Sequence, residues 1–388
     1  MLVFLSICFY LSAFIIFWAM IGYPLSMRVL RRFNKQPNIV KDYSYKPSVT
    51  LMVVAHNEEK VIKEKLENIS KLAYPRDKIE VLITSDNSTD RTNEIVESFI
   101  ERNSDINIRL FKVKKRQGKT NAQNEAQKTV KNEILIMTDA NSMLERNSVK
   151  ELVASFSSQD VSYVCGKLTY INEDSSSVSK SETTYWDGNL RLRAIESDIQ
   201  TISAGNGALY ACRNEEYYDF SPLRSHDGIM PIYFALRHKK AIYNPDAIAF
   251  EKAGEVIEDE FKRKVRMNRG ILYYILPDIR ILNFFKYKWF SYFYLGHRTS
   301  RYLLWISHLV VLLTNMFLIS ESWFYVTTFG GQLLFYLLAL VKLLTKTNNR
   351  YLTMIYYYCI TIFAQWAGVF KILTGKAKPF WEKAESTR

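Results

Sequence analysis

The sequence predicts an α/β domain held between apolar helical ends, and three observations lead there. Between residues 48 and 139, short apolar β-rich runs alternate with helix-like stretches, the pattern of parallel βαβ units. Both ends carry runs long enough to cross ~30 Å of hydrocarbon. The net charge of +13 is also unevenly placed along the 388 residues. Residues 1–27 carry no charge, residues 28–46 carry six basic side chains against one acidic, and residues 47–270 carry 33 against 34. Residues 271–388 carry 13 against 4. The basic excess therefore flanks the apolar ends around a neutral centre, which suits a membrane protein better than a nucleic-acid binder.

The first element is the apolar run at 2–25. A cleaved signal peptide would place its charges before such a run, whereas here Arg28, Arg31, Arg32 and Lys35 follow it. That order favours a retained anchor with the next segment in the cytosol. We divide the chain into an anchor helix (1–27), a basic linker (28–46), a cytosolic domain (47–270), an interface helix region (271–297), carboxy-terminal spans (298–373) and a basic tail (374–388). Candidate spans are 302–320, 323–344 and 351–373. The run at 271–295 mixes aromatics with Arg280, Lys286 and Lys288, as expected of a helix lying in the interface. Three spans after a cytosolic domain would leave the basic tail outside, so either the interface segment dips through the membrane or one span is miscounted. Cys8, Cys165, Cys212 and Cys359 show neither zinc spacing nor a disulfide framework, so the centre reads as belonging to a reducing compartment.

In the centre, strands are expected at 48–55, 79–85, 106–113 and 133–139. Helices are expected at 58–71, 91–101 and about 119–131, with a polar loop near Ser175. Ligands of such a sheet gather at the carboxyl ends of its strands. Polar clusters stand at those ends: His56-Asn57-Glu58, Ser85-Asp86-Asn87-Ser88-Thr89-Asp90 and Asp139-Ala140-Asn141. Singly, each has a plain reading. SDNSTD suits a turn and helix cap, Asp139 could cap a following helix, and Lys112–Lys119 could be a solvated basic face. Neither a P-loop nor a Gly-x-Gly-x-x-Gly pattern occurs, which argues against a P-loop NTPase and an ordinary dinucleotide fold.

Taken in order, these segments resemble the membrane-integrated family-2 glycosyltransferases, which include cellulose, chitin and hyaluronan synthases. The resemblance implies a nucleotide-diphospho-sugar transferase (GT-A, Rossmann-like) domain with helical transmembrane segments at both ends. AHNEE resembles the first-strand motif at the nucleotide base, which implies donor contacts from Ala55, Asn57 and Glu58. SDNSTD resembles the acidic turn, placing Asp86 on the uracil or ribose, and RQGKTNAQNEA resembles the Gly-Lys segment, placing Lys119 at the donor. TDAN stands at the Asp-x-Asp position, so Asp139 and Asn141 would hold Mg²⁺ or Mn²⁺. SAGNGALYACR resembles the acceptor-side segment and implicates Gly205, Asn206 and Gly207. SHDG stands where the catalytic acidic pair belongs, with Asp227 as the base, and RKVRM stands at the Gln/Arg-x-x-Arg-Trp position. That last match implies donor contacts from Arg263 and Arg266 and puts Met267 beside the acceptor.

Three departures stand out. Asn141 offers a carbonyl oxygen without charge, so a hard cation would lean more on the diphosphate. His226 replaces the first acid and reads as a surface histidine at a helix start. Met267 replaces the tryptophan platform, which weakens the case for a processively held polysaccharide.

The chemistry needs these residue types. A diphosphate leaving group needs cations at its oxygens, and an acceptor hydroxyl needs a base. Arg263 and Arg266 also suit a juxtamembrane patch on anionic lipid. The expected activity is inverting transfer from a nucleotide-sugar, with UDP as carrier, onto a growing polysaccharide at the cytoplasmic membrane. The alternative is single-sugar transfer to a membrane lipid or lipid-linked glycan, and a third reading is a non-enzymatic membrane scaffold. Membrane lipids are expected partners; nucleic acid is not.

Overall fold

The computed structural model describes residues 1–34, 39–172, 177–254, 257–345, 347 and 349–377. Parts of the expected basic linker (35–38), the polar loop (173–176) and the basic tail (378–388) lie outside the described residues.

The four expected strands form as β1 (Val49–Ala55), β2 (Ile79–Ser85), β3 (Ile108–Lys112) and β4 (Ile134–Asp139). They are followed by β5 (Met143–Leu144), β6 (Val161–Tyr170), β7 (Leu209–Arg213) and β8 (Lys240–Glu251). Together they make one mixed sheet in the order β3-β2-β1-β4-β7-β6-β8-β5. β1 pairs in parallel with β2 and β4, whereas β7 runs antiparallel to both β4 and β6. Alternation along β1 explains why both faces of the sheet are covered. Val49, Leu51 and Val53 enter one apolar layer and Met52 enters the other. Helices Ile62–Ile69 and Thr92–Arg102 cover the first face, while Lys119–Gln127 and His226–Ala235 cover the second. The chain leaves β1 toward β2 on one side and returns to β4 on the other. A switch point therefore opens beyond Ala55 and Asp139, where an open α/β sheet places its ligands.

At the amino end, one 32-residue helix, Leu2–Phe33, runs through the start of the expected linker and contains a π-turn at Trp18–Gly22. Arg31 and Arg32 stand in its last turn. Tyr23 and Met27 pack against Leu192, Ile195 and Phe293, which fixes this helix to the domain. At the other end, Trp323–Thr345 and Arg350–Leu373 are long and apolar enough to cross a membrane. The expected span at 302–320 is instead a bent pair, Trp289–Tyr302 and Leu304–Leu318, at 58°.

The expected interface helix is not one helix. It breaks into Ile271–Ile275, Ile279–Leu282, Phe284–Tyr287 and Trp289–Phe293. Pro277 disfavours helical backbone just before it, and Lys288 adopts φ 54°, so helical backbone cannot run through either point. The amphipathic character survives these breaks. Tyr274, Ile281, Tyr287 and Phe290 enter the domain core, while Phe285 is 98% exposed.

Candidate active site

A cavity of about 420 Å³ opens at the switch point and continues to the carboxy-terminal helices, where Thr361 and Gln365 line it. Its inner end is built by a glycine loop. Gly118 has φ +94°, a conformation glycine adopts at little cost, and it starts the helix that carries Lys119 at its first position. Asp86, 3% exposed, holds this loop by accepting hydrogen bonds from Gln117 N (3.3 Å) and Gly118 N (3.0 Å). Its carbonyl oxygen accepts from His56 Nδ1 at 2.8 Å. The residues of SDNSTD divide between two surroundings. Asp90 accepts from Thr92 N at 3.0 Å at the helix start, and Asp86 turns into the cavity wall. The basic run likewise splits. Lys112 pairs with Glu97 at 2.6 Å on the surface, whereas Arg116 and Lys119 line the cavity.

The centre of the cavity gathers around Gly207. A Cβ there would lie 3.2 Å from Lys119 Nζ, 3.5 Å from Asp139 Oδ2 and 3.9 Å from Asp227 Oδ2. Lys119 is already ion-paired with Asp139. Three segments separated in sequence thus converge on one space the size of a small group. Asp139 does not cap a helix: its carbonyl accepts Ser142 N at 3.2 Å in a tight turn leading to β5. Asp227 stands in the first turn of His226–Ala235, past the cap residue Ser225, and its carbonyl accepts Gly205 N at 2.8 Å.

Glu58, Asn141, Gly205, Asn206, Arg263, Arg266 and Met267 also line the cavity, whereas Ala55 and Asn57 do not. Asn57, at φ 55°, uses its side chain on Thr89, accepting Thr89 N at 2.7 Å and so locking the ends of β1 and β2 together. The Asn206 amide is likewise taken up internally, by Gly166 O (2.7 Å) and by Ala208 N (3.1 Å). Arg263 forms a two-pronged pair with buried Glu260 (2.7 and 3.1 Å), and Glu260 also accepts from Tyr357 OH at 3.0 Å. The expected position of His226 needs correction. It does start a helix, but it is 1% exposed, with Nε2 donating to Asn124 Oδ1 at 3.0 Å. Burial, with the Lys119 charge beside it, pushes the imidazole down to about 3, so the ring is neutral.

Several cavity or supporting residues escaped the sequence reading. Lys65 is fully buried beneath β4, donating to Thr138 Oγ1 at 3.1 Å and to the Ser142 carbonyl. Burial lowers its ammonium to about 7 despite Asp139 and Glu251 nearby. Glu251, at the end of β8, accepts from Ser142 Oγ, and burial, reinforced by Asp139, raises its carboxyl. Glu196 accepts from Tyr23 OH (2.9 Å), Ser203 N (2.9 Å) and His297 Nδ1 (2.6 Å), joining the first helix to the loop before Gly205. Burial alone would raise this carboxyl, but His297 and the Ser203 donors outweigh it and hold it low. Such residues sit within ordinary helix and strand patterns. Only Arg298 and Arg301, charges inside an aromatic run, carried a signal that could have been followed.

The donor set fits a divalent cation. Asp139 supplies a carboxylate at a space a Cβ would fill, and Asn141 adds a neutral oxygen beside it. No cluster of three or more His, Cys, Asp or Glu forms a closed cage among the described residues. An ion here would therefore take its remaining oxygens from phosphate and water, as Mg²⁺ commonly does.

The family described as Glycosyl transferase family 2 matches residues 50–217, the span that builds this cavity floor. That segment, under half of the chain, resembles a family 2 glycosyltransferase domain. The family 2 match ends before Asp227, Arg263 and the carboxy-terminal helices. The glycosyltransferase fold extends further: mannosyltransferase PcManGT from Pyrobaculum calidifontis, solved with GDP-Man and Mn²⁺, superposes with TM-score 0.70 at 23% identity. That match covers 94% of this chain and 99% of the other. Among curated relatives, the probable glycosyltransferase YdaM of Bacillus subtilis is 33% identical over 128 residues (32% of this chain, 30% of that protein). The beta-monoglucosyldiacylglycerol synthase of Synechocystis is 32% identical over 148 residues (36% and 31%). The poly-beta-1,6-N-acetyl-D-glucosamine synthase of Staphylococcus aureus is 24% identical over 264 residues (66% and 62%). This chain therefore spans about a third of the first two relatives and less than two thirds of the third.

Proposed function

We propose that this family 2 glycosyltransferase transfers a sugar, with inversion, from a nucleotide-sugar onto a glycan growing at the membrane. One observation carries the reading: Lys119, Asp139 and Asp227 converge from three segments on the space at Gly207. The loop that Asp86 fastens presents backbone and Lys119 to the donor, and Glu58 borders the same end. Asn57 and Ala55 act by holding the strand ends rather than by touching the donor. Lys119, Arg263 and Arg266 offset the charge of the departing diphosphate. A divalent ion held by Asp139 and Asn141 would supply further positive charge at the leaving oxygens. Asp227 accepts the proton of the acceptor hydroxyl as its oxygen bonds to the anomeric carbon. Gly205, Asn206 and Met267 shape the acceptor side, with Asn206 fixing the loop.

The curated relatives named above include a lipid glycosylating enzyme and a polysaccharide synthase, which supports both acceptor classes. Lipid-linked transfer gains support from the lining residues Thr361 and Gln365, which bring the cavity to an apolar helix. The domain faces the cytosol in this reading, since Arg28, Arg31 and Arg32 follow the first apolar run. The test is incubation of membranes containing the chain with radiolabelled UDP- and GDP-sugars, followed by sizing of the product. Ladders or high polymer support glycan growth, and a single lipid-soluble product supports the lipid acceptor. Neither transfer nor donor hydrolysis with any sugar would leave the scaffold reading in its place.

A further inference from the structure

The turn that carries Asp139 and Asn141 is held at both ends by one helix. Lys65, in the helix Ile62–Ile69, has no exposed surface and donates to Thr138 Oγ1 at 3.1 Å and to the Ser142 carbonyl. Those two acceptors flank the Asp139-Ala140-Asn141 segment. Asn68, three residues on and so on the same helix face, fastens the chain a step further along. Its Oδ1 accepts from Leu144 N and its Nδ2 donates to Leu144 O, both at 2.8 Å. On the other flank, β5 pairs with β8 as Met143↔Phe250 and Leu144↔Ala249, which sets Ser142 opposite Glu251. Ser142 Oγ donates to that carboxylate. Thr138 Oγ1 carries the contact onward by donating to the Ala208 carbonyl at 2.7 Å. Ala208 follows Gly207, where Lys119, Asp139 and Asp227 converge.

We propose that Lys65 is a positioning residue for the divalent cation: through Thr138 and Ser142 it fixes how Asp139 and Asn141 stand relative to each other and to the Gly207 loop. The inference rests on the cation-assisted transfer proposed above. A lysine is a costly way to fill this place, because a buried ammonium gives up its hydration. Packing alone would call for an apolar side chain, as Ile62, Leu66 and Ile69 supply on the same helix. What Lys65 adds is a long side chain whose several donors reach both ends of the turn. Asn141 increases the need for it. A pair of carboxylates draws a divalent ion by charge, whereas one carboxylate and a neutral amide oxygen depend more on being held in place. Residues that orient the ligands in this way commonly govern about 10–100-fold in metal affinity.

The experiment titrates Mn²⁺ into the full chain in detergent with UDP or GDP, whichever the wild type binds more tightly. It reads the Mn²⁺ concentration that gives half of the gain in nucleotide affinity. In Lys65→Met, which keeps the length of the side chain but loses its donors, that concentration should rise by about tenfold or more. Nucleotide affinity in EDTA should stay within about threefold of wild type, which also shows that the variant is folded. The direction of the change separates two effects. Removing a positive charge near the turn would by itself favour Mn²⁺ and lower the half-gain concentration, so a rise reports lost positioning. A role confined to stability would lower the thermal midpoint and leave the half-gain concentration where it is. Thr138→Val alters no charge, removes the hydroxyl between Lys65 and Ala208, and should raise that concentration several-fold; it decides the question if Lys65→Met does not fold. An unchanged or lowered half-gain concentration in either folded variant would overturn the proposal. A wild type that binds nucleoside diphosphate no better in Mn²⁺ than in EDTA would remove the cation from the proposed reaction and this role with it. A clear gain in the wild type that Lys65→Met keeps at the same Mn²⁺ concentration would count against Lys65 alone.

Discussion

Replacing Gly207 with alanine puts one methyl group into the space where the site converges. The added carbon would lie 3.2 Å from Lys119 Nζ, 3.5 Å from Asp139 Oδ2 and 3.9 Å from Asp227 Oδ2. Only the first distance is tight, and its atom is the far end of a flexible side chain, so the fold can absorb the change by a small lysine movement. Chemistry cannot absorb it as easily. The methyl occupies volume between the donor-side cation, the Asp139 carboxylate and the proposed base, and a misplacement of about 1 Å costs about 10²-fold in rate. Gly207→Ala should therefore lower kcat by about 10²-fold and leave the thermal midpoint within about 2 °C of wild type, a stability change well under 1 kcal/mol. Gly205→Ala is the contrasting variant. Its Cβ would meet Tyr163 OH at 2.0 Å and the ring carbon at 3.0 Å, in a side chain with no exposure. That is overpacking of a closed core, with a cost of about 1–3 kcal/mol in stability. The assay is steady-state transfer at saturating donor, paired with thermal unfolding of both proteins. Transfer by Gly207→Ala within about threefold of wild type would refute the assignment of the reacting space to this glycine.

Asp227→Asn keeps shape and hydrogen-bonding capacity but removes basicity, so transfer should drop by about 10²–10⁴-fold with nucleotide affinity retained; a near-normal rate would mean another base. Asp139→Ala and chelation should each abolish transfer, while Asn141→Asp should preserve or strengthen metal dependence. Full activity of Asp139→Ala in EDTA would remove the ion from the scheme. His226 is held neutral in the fold with its value near 3, so the unfolded chain binds the extra proton as pH falls below ~6.5. Its contribution is complete above that pH and is lost progressively toward 3; His226→Gln should therefore flatten the acid side of the stability curve by about 1 kcal/mol per pH unit there, and an unchanged curve would refute it. A cysteine placed at exposed Gln159 should resist an impermeant thiol reagent on intact cells, and ready labelling would reverse the proposed orientation.

What the sequence made legible follows from the range of the interactions involved. β1, β2 and β4 read clearly because a strand buried on both faces is an uninterrupted apolar run, and Asp86 and Asp139 stood out because polar residues cluster where such runs stop. The interface helix misled because amphipathic composition does not encode continuity. Pro277 and the left-handed backbone at Lys288 divide it, and its apolar side chains fill the domain core as readily as a bilayer surface. His226 misled for a related reason: position at a helix start says nothing of depth, which the distant partners Tyr217 and Asn124 decide. Lys65 and Glu196 were invisible because each looks like one polar residue in an amphipathic helix. Their meaning comes from Thr138 and Ser142 in one case, and from Tyr23 and His297 in the other. Glu196 shows the consequence most directly. One carboxylate ties the amino-terminal helix, the carboxy-terminal bent segment and the Ser203 loop before Gly205. Tyr23 and His297 thus meet the Ser203 loop at one carboxylate, and neither bond could be anticipated from residues 173 and 101 positions apart in sequence.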